Sequence, residues 1–165
     1  MHKILKGDVM RKSVKNLIVA VAIPLLVGGL SALLAGGMSS FDSVQKPPLS
    51  PPGWLFPVVW SILYILMGVA SHIVYSASAP TYLKNGALLT YATQLFFNFI
   101  WSIIFFRFEA YLFAFVWLVL LLILIITTAV RFYKIKPLAG ILLIPYIIWV
   151  AFAGYLNLAI YFLNR

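Results

Sequence analysis

Five long apolar runs, charged only near their edges, constrain this chain more than any other feature. They cover about 17–38, 54–75, 87–106, 111–130 and 138–163. A bilayer core of about 30 Å needs roughly 20 helical residues to cross it, and each run is that long. The runs are continuous rather than alternating, so they read as helices and not as barrel strands. The expected fold class is all-α: an integral membrane bundle of five transmembrane helices in a single domain, residues 1–165.

Composition agrees. Hydrophobic residues make up 64% of the chain and charged residues 9%. A soluble chain of 165 residues could not keep that much apolar surface from water. Disorder is excluded because disordered chains are poor in apolar residues. The net charge of +9 is concentrated outside the runs, with Lys3, Lys6, Arg11, Lys12 and Lys15 ahead of the first. Beside a membrane segment this reads as a topology signal and an anchor to anionic lipid. No groove-reading motif accompanies the charge, so nucleic acid is not an expected partner. The first run is longer than the apolar region of a secretory signal, so it is expected to be retained. Cysteine is absent, which removes disulfides, thiolate ligands and cysteine nucleophiles.

The connection after the first run, Ser39–Gly53, is the longest and holds Pro47, Pro48, Pro51 and Pro52. Proline fixes φ, so this loop is stiff. It suits either a lid over a cavity between helices or a rigid entry to the second helix. Nine of the twelve Lys/Arg fall on the side of the N-terminus and three on the other. That bias predicts a cytoplasmic N-terminus and an outward-facing proline loop. Short connections and the basic N-terminus favour a bacterial plasma membrane.

Polar residues within the runs are few. Gln94, Asn98 and Ser102 recur every four residues and share one helical stripe, bordered by Trp101. An amide facing lipid would be unpaired, so the stripe faces protein or a cavity. It can serve interhelical hydrogen bonding or line a pocket. Trp60, Tyr64, Gly68 and Ser71 form a comparable face on the second run, as do Tyr146, Trp149, Ala153 and Asn157 on the fifth. Turned inward, the three faces would enclose a flat apolar site with a few hydrogen-bonding groups. Ordinary aromatic packing is the other reading. Trp54 and Trp117 read as interfacial or outer-surface residues. On the first run Gly28, Ala32 and Gly36, spaced by four, read either as a surface for close helix approach or as small residues with no specific partner.

Other chemistry lacks support. His72 has no second histidine to join it at a haem, and no HExxH or Cys/His cluster indicates a metal site. No serine elbow is present, and Asp8 and Asp42 lie outside the runs. No run carries a central charge of the kind coupled pumps use. Leu158, Tyr161 and Arg165 fit a loose pattern proposed for sterol contact.

Three blocks then carry a resemblance. The first is Lys46-Pro-Pro-Leu-Ser-Pro-Pro-Gly-Trp-Leu-Phe-Pro-Val-Val-Trp60, continuing to Tyr64 and Gly68. The second is Gln94-Leu-Phe-Phe-Asn98-Phe-Ile-Trp101-Ser102, and the third Pro145-Tyr-Ile-Ile-Trp149-Val-Ala-Phe-Ala153, continuing to Asn157. In this order they resemble the TspO/MBR family, that of the tryptophan-rich sensory proteins, the translocator proteins and the peripheral-type benzodiazepine receptor. The resemblance implies a five-helix bundle, often a homodimer, with a pocket closed by the first long loop. It implies a membrane receptor for porphyrins such as protoporphyrin IX and haem-like tetrapyrroles, with a sensing, scavenging or transport role, and sterol binding in some members. Trp60 and Trp149 would flank the ligand, Gln94 and Asn98 would give polar contacts, and Trp101, Ala153 and Pro52 would complete the wall. A light- and oxygen-dependent porphyrin-degrading enzyme using Trp60 and Trp149 is the alternative, and a structural membrane partner the second. No cofactor is obligatory in any of these readings. Leu49 stands where many members carry Trp.

Overall fold

The computed structural model describes residues 2–36 and 44–165, with side chains from residue 13 onward. Met38 and the loop residues through 43 therefore lie outside the described residues. Among these the regular structure is all helical. In order come α1 (His2–Leu34), α2 (Leu55–Tyr75), α3 (Thr81–Ser102) running into a π-helical turn (Ile103–Arg107), α4 (Tyr111–Ile135), α5 (Pro137–Ile141) and α6 (Ile144–Leu163). Five spans are long and apolar enough to cross a membrane, with α5 and α6 together forming the fifth.

The spans lie where hydropathy put them, but their ends differ. α1 begins well before residue 17, because the basic segment continues the same helix. It stops at Leu34, short of the expected 38. Gly36 has φ +83°, a left-handed conformation that closes helices, and the Ala35 N–H still bonds the Ser31 carbonyl at 2.9 Å. α3 starts at Thr81, after Pro80, rather than at 87. α4 runs to Ile135 rather than 130 and ends where Lys136 turns extended ahead of Pro137. A residue before proline is pushed out of the helical region by the ring. The expected continuous helix 138–163 is broken at Leu142–Leu143, because Pro145 has no N–H to carry the ladder back into α5.

α1 packs on α2, α3 on α4, and α4 on α6. The α1–α2 contact depends on one glycine. Pro24 lies inside α1 and gives no N–H to the Ala20 carbonyl. Gly68 of α2 sits directly against this place: a β-carbon there would stand 2.6 Å from the Ala20 oxygen and 2.5 Å from the Val21 Cα. The core between the spans is filled by Met67, Leu121, Ile125, Phe132 and Tyr146, all fully buried.

Beyond Val44, the described part of the proline loop is tied to α6. Gln45 and Asn164 exchange two hydrogen bonds, Gln45 N–H to Oδ1 at 2.9 Å and Nδ2–H to the Gln45 carbonyl at 3.0 Å. The Tyr155 hydroxyl donates to the Pro48 carbonyl at 2.9 Å. These bonds fix the loop at Gln45 and Pro48, beside its first proline pair.

Gly68→Ala should lower stability by about 1–3 kcal/mol, since the added methyl meets backbone rather than a movable side chain. Gly29→Ala is the control, because nothing lies within 4 Å of its β-carbon position. Thermal unfolding of both variants in detergent tests this; equal midpoints would show that the α1–α2 approach is loose.

Candidate ligand-binding site

Large side chains, not close backbones, span the gap between α2, α3 and α6. The Trp60 ring stacks on Tyr64 with centroids 5.5 Å apart and meets Trp101 at 6.4 Å and the edge of Tyr146 at 6.1 Å. Trp101 stacks on Phe105 at 5.3 Å. The polar atoms behind these rings form one directed chain. The Tyr64 hydroxyl donates to Asn98 Oδ1 at 2.8 Å, and Asn98 Nδ2 donates to the Tyr146 hydroxyl at 3.0 Å. That hydroxyl donates to Gln94 Oε1 at 3.0 Å, and Gln94 Nε2 ends the chain on the Met67 sulfur at 3.6 Å. All five residues are buried. Hydrogen bonds aligned head to tail polarise one another in a low-dielectric interior.

A second link joins α3 to α6 and α4. Trp101 Nε1 donates to Asn157 Oδ1 at 3.4 Å, and Asn157 Nδ2 donates to the Tyr111 carbonyl at 2.7 Å. Trp117 is not a free outer-surface residue. Its indole N–H donates to the Phe97 carbonyl at 2.8 Å, and its ring stacks on Phe97 at 4.4 Å. Trp54, by contrast, is 67% exposed.

In front of the aromatic cluster lies a cavity of about 290 Å3 at the proline-loop end of the bundle. Its aromatic wall comes from Phe56, Trp60 and Tyr64 of α2 and from Trp101 and Phe106 after it. Its opposite wall comes from α1, through Leu25, Gly28, Gly29 and Ala32. Small residues there bring α1 close; the Tyr64 ring occupies the space that a side chain at Gly28 would need. Ser61 and Ser102 add the polar atoms of the wall, and the Ser61 hydroxyl is held by the Pro57 carbonyl.

Among the residues expected at the site, Trp60, Tyr64 and Trp101 line this cavity. Gln94, Asn98 and Tyr146 stand behind it in the hydrogen-bond chain. Trp149 meets the wall through Phe56, edge to face at 5.8 Å, and its buried Nε1 has no hydrogen-bond partner. Ala153 is buried in the core, and Pro52 is exposed on the loop. The residues that line this cavity include none from Val44 to Gly53. Leu158 and Tyr161 are half-buried on α6, and Arg165 lies over the Phe162 ring at 5.0 Å. The α1 wall was not foreseen as part of a site, although its small-residue spacing was visible. No group of three potential metal ligands occurs among the described residues.

This arrangement, rings facing small residues over an amide-anchored core, coincides with a sequence match. The TspO/MBR family model matches residues 20–163. The chain belongs to the TspO/MBR family. It is 36% identical to the tryptophan-rich protein TspO of Chlorobaculum tepidum over 157 residues, covering 94% of this chain and 99% of that protein. It is 37% identical to protein CrtK of Rhodobacter capsulatus, covering 83% and 85%. The translocator protein of Sus scrofa is 35% identical, with 84% of each chain covered. Five apolar spans and this family make the chain an integral membrane protein.

Asn98→Leu should destabilise the TspO/MBR bundle by about 1–3 kcal/mol, because it strips the Tyr64 hydroxyl of its acceptor inside the core. Tyr64→Phe removes only the first donor and should cost about 1 kcal/mol. Unfolding curves of the two variants check the order; the reverse order would mean that the amide is not the hub.

Proposed function

We propose that this chain is a membrane binding protein for flat, apolar ring compounds, tetrapyrroles such as protoporphyrin IX foremost. The observation that carries the reading is the pairing of an aromatic wall, Trp60, Tyr64 and Trp101, with a wall of small residues on α1. Aromatic faces bind planar rings by stacking, and an opposing wall without bulk leaves a slot. The likeness to proteins named tryptophan-rich sensory protein and translocator protein supports the same reading.

A planar ring entering this slot would lie between the Trp60 and Trp101 rings and the small residues of α1. The charged side chains of the described spans lie near their ends: Lys15, Lys84, Arg107, Arg131 and Lys134. Capture, sensing or passive hand-over of a ligand therefore fits better than ion-coupled pumping. The Lys/Arg bias supports a cytoplasmic N-terminus, which puts the cavity toward the outer leaflet.

Titration of the purified protein with protoporphyrin IX in darkness should quench tryptophan fluorescence. Trp60→Leu should raise Kd at least fivefold, about 1 kcal/mol. Trp149→Leu should act more weakly, through Phe56, and Trp54→Leu not at all. Undiminished affinity in Trp60→Leu would remove the stacking argument. A new chromophore that forms only under light, and only with Trp60 and Trp149 present, would move the assignment to a porphyrin-degrading enzyme.

A further inference from the structure

A second cavity, of about 350 Å3, lies among α1, α2 and α3 toward the N-terminal end, and shares no residue with the chamber above. Its polar atoms differ from those of the core. The hydroxyls of Tyr64 and Tyr146 each have partners, but the Tyr91 hydroxyl and His72 Nδ1, both buried, make no hydrogen bond. Both residues line this cavity, and Tyr91 is only 7% exposed. Ser71 stands beside Tyr91; its own hydroxyl proton goes to the Gly68 carbonyl at 2.9 Å, so only its oxygen is left to face the Tyr91 hydroxyl. Unpartnered buried donors are uncommon in native structures and point to a group that completes them.

The charge around the cavity says which group. Lys15 lies at its rim, and among the described residues no acidic side chain lines it. Lys84 stands close by, held on the Tyr75 carbonyl at 3.3 Å, and Tyr75 is itself part of the wall. The Tyr91 hydroxyl, His72 Nδ1 and the Lys15 ammonium are the groups this cavity offers to a polar head. The remaining wall is apolar, and Val19 and Ile23 are about half exposed on the lipid-facing side of α1. A ligand that fits both parts has an acidic oxygen head and an acyl tail.

We infer that this cavity holds the head of an anionic membrane lipid from the leaflet on the N-terminal side. A phosphate oxygen accepts hydrogen bonds from the Tyr91 hydroxyl and His72 Nδ1–H. Lys15 balances the charge, and an acyl chain leaves the cavity along Val19 and Ile23. The site goes beyond general attraction of the basic N-terminus to a charged surface, because it is interhelical and depends on Tyr91 and His72.

Photolabelling tests it. The protein is reconstituted in phosphatidylcholine vesicles carrying a trace of phosphatidylglycerol with a diazirine in one acyl chain, irradiated, digested and mapped by mass spectrometry. Adducts should concentrate in the peptides holding Val19–Ile23 and Leu88–Tyr91, and Tyr91→Phe should reduce them at least threefold. Phosphatidylcholine with the same diazirine chain should label these peptides less than a third as much. Because the Tyr91 hydroxyl has no partner, Tyr91→Phe should leave both the unfolding midpoint in detergent and the protoporphyrin titration unchanged. Equal labelling by the two lipids, or labelling that Tyr91→Phe leaves intact, overturns the inference. Suppression by unlabelled fatty acid but not by unlabelled phosphatidylglycerol overturns the lipid as occupant.

Discussion

The bilayer interior offers no water, so a polar group on a transmembrane helix is paired within the protein or with a ligand. In this bundle that requirement sets the rotation of the helices. Apolar contact alone cannot do so, because lipid tails are as apolar as a leucine. The chain from Tyr64 through Asn98 and Tyr146 to Gln94 has donors on α2, α3 and α6, and each link has one direction. Turning any of the three helices by a residue would orphan at least one buried hydroxyl or amide. Trp101, Asn157 and the Tyr111 carbonyl repeat the device between α3, α6 and α4. The aromatic rings of the chamber rest on this frame: Tyr64 belongs to the chain and supports Trp60, and Trp101 belongs to the second link and supports Phe105.

Much of this was legible before any coordinates. The spans followed from hydropathy, because lipid imposes a length and an apolar composition that few soluble elements meet. The stripe of Gln94 and Asn98 also followed, because an amide at helical spacing in an apolar run has to face inward. Boundaries were less legible. The turn at Thr81–Gly86 and the end of α4 around Arg131–Ile135 are helical but polar, and hydropathy sees only the apolar part of a helix. Arg131 earns its place there by donating to the Gly86 carbonyl and the Thr90 hydroxyl, a contact invisible to any sequence window.

The partner of each face was the least legible feature. Faces on the second, third and fifth runs carry similar aromatic and polar residues, so residue type alone sends all three to one chamber. In the fold, the hydroxyl and amide of the fifth span's face, Tyr146 and Asn157, are consumed by pairing to α3 and, for the Asn157 Nδ2, to α4. The free wall is left to α1, whose glycines and alanines carry no chemistry of their own and so looked like packing surface. Gly28 and Ala32 are indeed packing residues, but what they pack against is an aromatic slot. Gly36, which shares their spacing, does something else and ends the helix.

The same frame decides how the chamber can change size. α2, α3 and α6 are tied by buried hydrogen bonds, and opening the bundle there would expose unpaired groups to lipid. α1 is bound differently. In its membrane window only 17% of residues are buried inside the protein, against 33–39% for the other spans. It is held to α3 by the Ser31 hydroxyl on the Phe99 carbonyl at 2.7 Å and by Arg107 Nη1 on the Leu34 carbonyl at 3.1 Å. Both ties are at the proline-loop end. Toward the other end α1 rests on α2 at Gly68, with Pro24 between that contact and the chamber. A helix that lacks a ladder bond at a proline bends more easily there than elsewhere. Enlargement of the chamber is therefore least costly as a tilt of the outer half of α1 about Pro24, which releases the Ser31 and Arg107 ties and none of the core chain.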